Sequence, residues 1–257
     1  MGRVRQVAVL QDLRAQVASI ERRGAAACAE AVPFGIPALD AALPDGGIAR
    51  GALHEAYGAS ADAGHGAAAA LLVAGILARA NGPVLWVSEY FDLFAPALAG
   101  AGLGPERVLH VEAGRNVLLA MEEGLRQPGL SGVVGELFGR FALTTSRRLQ
   151  LAAEANGAIA FVLRRSRKQG DLGSAEPNAA VTRWRVACVP SAPPLPWAPD
   201  TPGLGRARWQ LDLLRVRGGV PASWIVEACD AQGHLAVVAN LANRPAVPHA
   251  GRRVADG

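Results

Sequence analysis

From Ala52 to Leu163 the chain alternates short apolar runs with longer Ala-rich or amphipathic stretches. The apolar runs are Ala52–Tyr57, Pro83–Ser88, Arg107–Val111, Gly132–Leu137 and Ala158–Leu163. Each has strand length and is bounded by glycine, proline or polar residues, so each reads as a buried strand. Between them the spacing predicts helices over Gly66–Ala80, Phe91–Ala101 (interrupted by Pro96), Asn116–Arg126 and Thr144–Asn156. Apolar strands alternating with helices imply an α/β fold, a mostly parallel sheet covered on both faces.

After Leu163 the pattern changes. Ala180–Val189, Ala207–Arg217, Ser223–Ala228 and Leu235–Ala239 read as strands, with turns at Gly218-Gly219 and Asp230–Gly233. They predict an antiparallel addition to the parallel sheet. Residues 190–205 are Pro-rich around Trp197. That segment fits either a stiff docking ligand or an inert excursion between strands. Ahead of the alternating region, Leu10, Leu13, Val17 and Ile20 recur at helical spacing within residues 8–30. This amphipathic helix either packs on the chain's own core or docks on a partner. A short helix, Pro37–Leu43, ends at Pro44, and Asp45-Gly46-Gly47 makes a tight turn. The expected organisation is an N-terminal helix and linker at 1–32, a core domain at 33–243 and a basic tail at 244–257.

Hydrophobic residues make up 51% of the 257, enough for a core and against global disorder. The net charge of +4 permits nucleic-acid contact without demanding it. Cys28, Cys188 and Cys229 are isolated and lack metal-ligand spacing, which suits a reducing cytoplasm. Arg3, Arg5, Asp12 and Arg14 break up any secretory leader, and the longest apolar run, Ala67–Ala78, is too short to span a bilayer. No membrane association is expected.

The candidate chemistry lies at residues 56–68, between the first strand and the first long helix. Strand, Gly-rich loop and helix N-terminus is the arrangement that aims backbone N–H groups at phosphate. A working loop reads G-x-x-x-x-G-K-[ST]. Here Gly58 opens the loop and Gly64 closes it one residue too late, with His65 at the lysine position and Gly66 at the hydroxyl position. The only lysine in the chain is Lys168. The expectation is a retained fold without hydrolysis and without a cofactor. The plain alternative is an ordinary Gly/Ala turn.

Phe34-Gly35-Ile36-Pro37-Ala38-Leu39-Asp40, then Gly46-Gly47, Gly51 and Gly58, resemble the approach to the phosphate loop in the RecA family of recombinases. The degenerate loop, the segment Ala179–Val186 and the end Leu213–Gly219 with Trp224–Glu227 narrow the resemblance. It points to the RecA-like, SulA-related accessory proteins of bacterial damage-induced mutagenesis. The resemblance covers roughly residues 8–243. It implies a RecA-like fold and a scaffold role in SOS-induced translesion synthesis. The implied partners are an ImuB-type inactive Y-family polymerase homologue, an error-prone C-family polymerase, RecA and single-stranded DNA. It leaves two rivals open, an active nucleotide-dependent DNA-binding ATPase and a SulA-like inhibitor of cell division.

By the same resemblance, Glu136 stands where a magnesium-holding acid stands, and Glu89 near the place of the catalytic glutamate. Without a phosphate-loop lysine, the plainer reading of each is a solvated strand-end acid or a cap on the next helix. Arg164, Arg165, Arg167 and Lys168 fall where RecA carries a nucleotide-sensing and DNA-binding loop. The run fits a grip on single-stranded DNA or a partner, or else a solvated face. Arg183 and Arg185 flank Trp184. Period-2 alternation turns Trp184 inward and the arginines outward, and the same residues offer a stacking and phosphate-contact surface.

Overall fold

The structure is a computed structural model, and it describes residues 31–60, 62–166, 177–195, 197, 198, 200, 201, 203 and 205–238. The chain divides into two units, Met1–Glu30 and Ala31–Gly257. All described residues belong to the second. The proposed docking residues Leu10, Leu13, Val17 and Ile20 therefore lie outside the described residues, as do Arg167, Lys168 and the tail at 244–257.

In chain order the elements are α1 (Pro37–Asp40), β1 (Ala52–Gly58), α2 (Asp62–Ala78), β2 (Val84–Ser88), α3 (Ala95–Gly100), β3 (Val108–Glu112), α4 (Val117–Leu125), β4 (Gly132–Phe138), α5 (Leu143–Asn156) and β5 (Ile159–Arg165). Then follow β6 (Thr182–Val189), β7 (Arg208–Val216), β8 (Ala222–Glu227) and β9 (Ala236–Val237). One sheet holds all nine described strands, in the order β3-β2-β4-β5-β1-β6-β7-β8-β9. From β3 to β6 neighbours are parallel, and from β6 onward they are antiparallel.

Two apolar layers cover the sheet. Phe161, Leu163, Trp184 and Trp86 pack against α2 on one face. Leu53, Val133, Ala160 and Val162 pack against Met121, Leu125, Leu149 and Ala153 of α4 and α5 on the other. The predicted strands all form, with ends shifted by a residue or two. The Phe91–Ala101 helix is shorter than expected. Phe94 caps it with an extended backbone and Pro96 sits in its first turn, where a missing N–H costs nothing. Helix α5 stops at Gly157, whose φ of 71° is the left-handed conformation that glycine adopts freely.

Strand β1 lies in the middle of the sheet, between β5 and β6, and all of its residues are buried. A strand covered on both faces favours apolar side chains, so His54 and Glu55 within it each require partners. On the α2 face, His54 Nε2–H donates to Ala49 O at 2.9 Å. That fixes Nδ1 as the acceptor for the Thr182 hydroxyl at 2.7 Å. Thr182 Oγ1 in turn accepts from Trp184 Nε1–H at 2.9 Å. Burial pushes the His54 pKa down from 6.5 to about 4, although its hydrogen bond to Ala49 opposes the shift.

Candidate functional site

Ligands in open parallel sheets sit beyond the C-terminal strand ends. At β1 that edge carries the sequence-predicted loop, and the structure corrects its layout. Strand β1 ends at Gly58 and α2 begins at Asp62, leaving only residues 59–61 between them. Gly64, read as closing the loop, lies instead within α2, which starts four residues ahead of the expected Gly66 and takes in His65 as well. An ideal Cβ on Gly58 would stand 2.8 Å from the backbone carbon of His65, so the helix backbone fills the space above the strand end. The Ala59 N–H, which a phosphate loop would aim at its ligand, donates instead to Val186 O at 2.8 Å. His65 is turned toward β6, where its Nδ1 accepts from the Cys188 N–H at 3.0 Å. Among the described residues, this edge has the strand–loop–helix topology of a phosphate site, but its Ala59 N–H and the space above Gly58 are taken by the protein.

The acid expected to hold magnesium is also engaged. Glu136 is 1% exposed at the end of β4, on the α2 face. Its carboxylate accepts from Trp86 Nε1–H at 2.7 Å and pairs with Arg165. Burial pushes its carboxyl pKa up, against the pull of Arg165 and the Trp86 hydrogen bond. Arg165 also meets Asp92 at 3.0 Å and lies over the Phe138 ring, 5.5 Å from its centroid. Arg165 thus points along the sheet edge onto an acid. Glu89 follows β2 and is half-buried.

On the opposite face the expected arginine surface is partly internal. Arg164 pairs with Glu55 Oε1 at 3.1 Å, and Arg183 Nε donates to Glu55 Oε2 at 2.6 Å. Asn178 Nδ2 donates to Glu55 Oε2 at 2.8 Å. All four side chains are buried. The outward placement expected for Arg183 is therefore corrected. It does leave the Trp184 face, but the face it reaches is itself covered. Arg164 likewise ends inside the fold and not on a solvated run. Arg185 is half-buried and pairs with Asp212 Oδ2 at 2.8 Å. Asp212 Oδ1 accepts from Ser223 and Gln210. Next to Arg183 across the β6–β7 ladder, Arg215 has its pKa lowered by burial and by repulsion from Arg183 and Arg217, partly offset by Glu55.

Glu55 and Asp212 are the residues that reading the sequence missed. The signal was a charged residue inside an otherwise apolar run. No described cluster of three or more His, Cys, Asp or Glu side chains is arranged to hold a metal ion. A groove of about 400 Å³ lined by Ala38, Leu43, Pro44, Gly219, Val220 and Pro221 lies at the other edge of the sheet and offers no charged side chain. Trp197, in the Pro-rich segment, is 80% exposed. No described helix is long and apolar enough to cross a membrane.

No protein-family model matches the chain. Protein ImuA of Caulobacter vibrioides does, in strains NA1000 / CB15N and ATCC 19089 / CIP 103742 / CB 15. Each is 39% identical over 236 residues, covering 86% of this chain and 94% of the relative. The chain belongs to the ImuA family. Among solved structures, the crystal structure of the RadB recombinase matches with a TM-score of 0.56 at 14% identity, over 80% of this chain and 99% of that one. At that identity the likeness establishes the fold, which is RecA-like. In this ImuA-family chain of RecA-like fold, Gly58 and Ala59 at the β1–α2 corner, and Glu136, are engaged by other residues of the fold.

Proposed function

We propose that this ImuA-family protein is a non-hydrolysing, RecA-like accessory protein of SOS-induced translesion synthesis that works by binding other proteins. One observation carries the reading. The corner that would cradle phosphate is packed by the protein's own backbone, Gly58 against His65, and the chain's only lysine is Lys168. A RecA-type ATPase depends on a lysine at the β- and γ-phosphates and on carboxylates free to hold magnesium and orient water. The engagement of Glu136 by Trp86 and Arg165 supports the same reading.

The proposed partners are an ImuB-type inactive Y-family polymerase homologue and an error-prone C-family polymerase. RecA and single-stranded DNA are the further proposed contacts. Arg164, Arg165 and Arg183 are committed to acids of the fold, so the DNA contact would fall to Arg167 and Lys168, with Arg185 at the margin. The N-terminal residues Leu10, Leu13, Val17 and Ile20 are the proposed docking face for a partner.

The experiment combines two assays on the full-length protein. ATP turnover is measured with and without single-stranded DNA, and both polymerases are probed in a pull-down from DNA-damaged cells. The expected result is background turnover with recovery of both polymerases. DNA-stimulated hydrolysis that Glu136→Gln abolishes would overturn the reading in favour of an active ATPase.

A further inference from the structure

Strand β3 forms one end of the sheet, and no described strand lies on its outer side. Natural sheet edges are commonly blunted by lysine, proline, bulges or a covering segment, because an open edge is a template for another strand. The β3 sequence Val-Leu-His-Val-Glu has no lysine or proline. Instead Leu109 is 57% and Val111 39% exposed. They lie level with Leu85 and Val87 of β2, on the α4 face, where Leu119 is exposed as well. On the other face Phe91, 69% exposed, stacks edge-on over His110 with ring centroids 4.4 Å apart. Exposed apolar side chains on an edge strand whose outer side no described strand pairs mark a candidate contact site.

The backbone pattern sets the register such a contact can use. The Ala113 N–H donates to Ser88 O of β2 at 2.9 Å. Peptide groups alternate in direction along a strand, so those of Leu109 and Val111 also face β2. Those of Val108, His110 and Glu112 face outward. We propose that a second copy of this chain pairs with β3 in the antiparallel sense about a two-fold axis at His110. His110 then forms a hydrogen-bonded pair with His110 of the partner subunit, and Val108 with Glu112 of the partner subunit. Leu109 falls opposite Val111 of the partner subunit, in the close, non-hydrogen-bonded position where side chains approach most nearly. The single-turn helices at the two ends of β3, Pro105–Arg107 and Gly114–Asn116, carry exposed Glu106 and Arg115. The two-fold brings each against the other's counterpart. The edge is thus complementary to itself in hydrogen bonding, apolar contact and charge, which is what an isologous interface requires.

The test is sedimentation equilibrium of the full-length protein, joined to a cross-link. Wild type is expected to show a concentration-dependent dimer. Leu109→Lys, which puts a cation into both apolar pairs, is expected to weaken it about tenfold or more, equivalent to about 1.4 kcal/mol. Glu106→Arg should weaken the dimer, and adding Arg115→Glu should restore it. The charge swap lies on exposed turns and keeps the test decisive if Leu109→Lys disturbs folding. With Cys28, Cys188 and Cys229 replaced by serine, His110→Cys should form an intersubunit disulfide on mild oxidation. Paired Cα atoms about 5.5 Å apart are within disulfide reach. A monomer at all concentrations overturns the proposal. So does a dimer indifferent to Leu109→Lys and to the charge swap, or one that forms no cross-link at position 110.

Discussion

Glu55→Gln tests whether the centre of the sheet depends on one carboxylate. Glu55 is wholly buried and holds two guanidinium groups, Arg164 at 3.1 Å and Arg183 at 2.6 Å, each with a side chain under 10% exposed. Replacing the acid by its amide keeps the shape and the Asn178 neighbour but removes the carboxylate charge that the two cations share among the described residues. Breaking a buried pair by removing one partner costs about 3–5 kcal/mol, because the remaining charge stays desolvated. Two cations on one acid put the expectation at the upper part of that range. For a domain of this size each kcal/mol lowers Tm by about 2–4 °C, so the melting temperature should fall by about 10 °C or more. The assay is urea unfolding followed by circular dichroism, with thermal melts beside it. A contrasting variant removes the whole cluster, Glu55→Leu with Arg164→Met and Arg183→Met. It should be markedly more stable than Glu55→Gln, since apolar replacement of a complete buried ion cluster is often neutral or better. A Glu55→Gln protein within about 1 kcal/mol of wild type would refute the reasoning, since that is the scale of an exposed pair.

Three further outcomes are expected. The His54 pKa is lowered to about 4 in the folded state, so between pH 6.5 and that value the unfolded chain takes up a proton that the native imidazole refuses. Stability should therefore fall on acidification through this window by on the order of 3 kcal/mol from this group, and urea titrations at pH 7 and 5 should show a smaller difference for His54→Gln. An unchanged difference would contradict it. Gly58→Ala should destabilise by about 1–3 kcal/mol, because the added methyl meets main-chain atoms of His65 that have no rotamer to move away with; a thermal melt matching wild type would show that α2 can shift. Arg107 donates to Gly82 O at 2.9 Å, Ala78 O at 2.7 Å and Leu77 O at 3.0 Å, closing the C-terminus of α2. Arg107→Ala should cost about 2–3 kcal/mol and raise amide exchange in the last turn of α2 above that of its middle.

The order of apolar runs along the chain was enough to determine the strands, the helices between them and the change from parallel to antiparallel after Leu163. Those features follow from local periodicity and from the need to cover a sheet buried on both faces. Composition settled one further point, that no lysine but Lys168 exists to serve a phosphate loop. The partners of charged side chains were not legible. Glu55 meets Asn178 and Arg183 only because β1 is inserted between β5 and β6, and that adjacency is set by strand order, not by spacing along the chain. Alternation along β6 put Arg183 and Arg185 off the Trp184 face, yet Arg183 is buried on the face it reaches. Whether that face is open depends on helices packed across it, which alternation within one strand does not encode. Gly64 was read as a loop residue because it falls near the closing glycine of the phosphate-loop pattern, and glycine is a poor helix former. Tertiary packing overrode that preference: α2 starts at Asp62 and lays its backbone against Gly58, where a side chain would have kept the two apart.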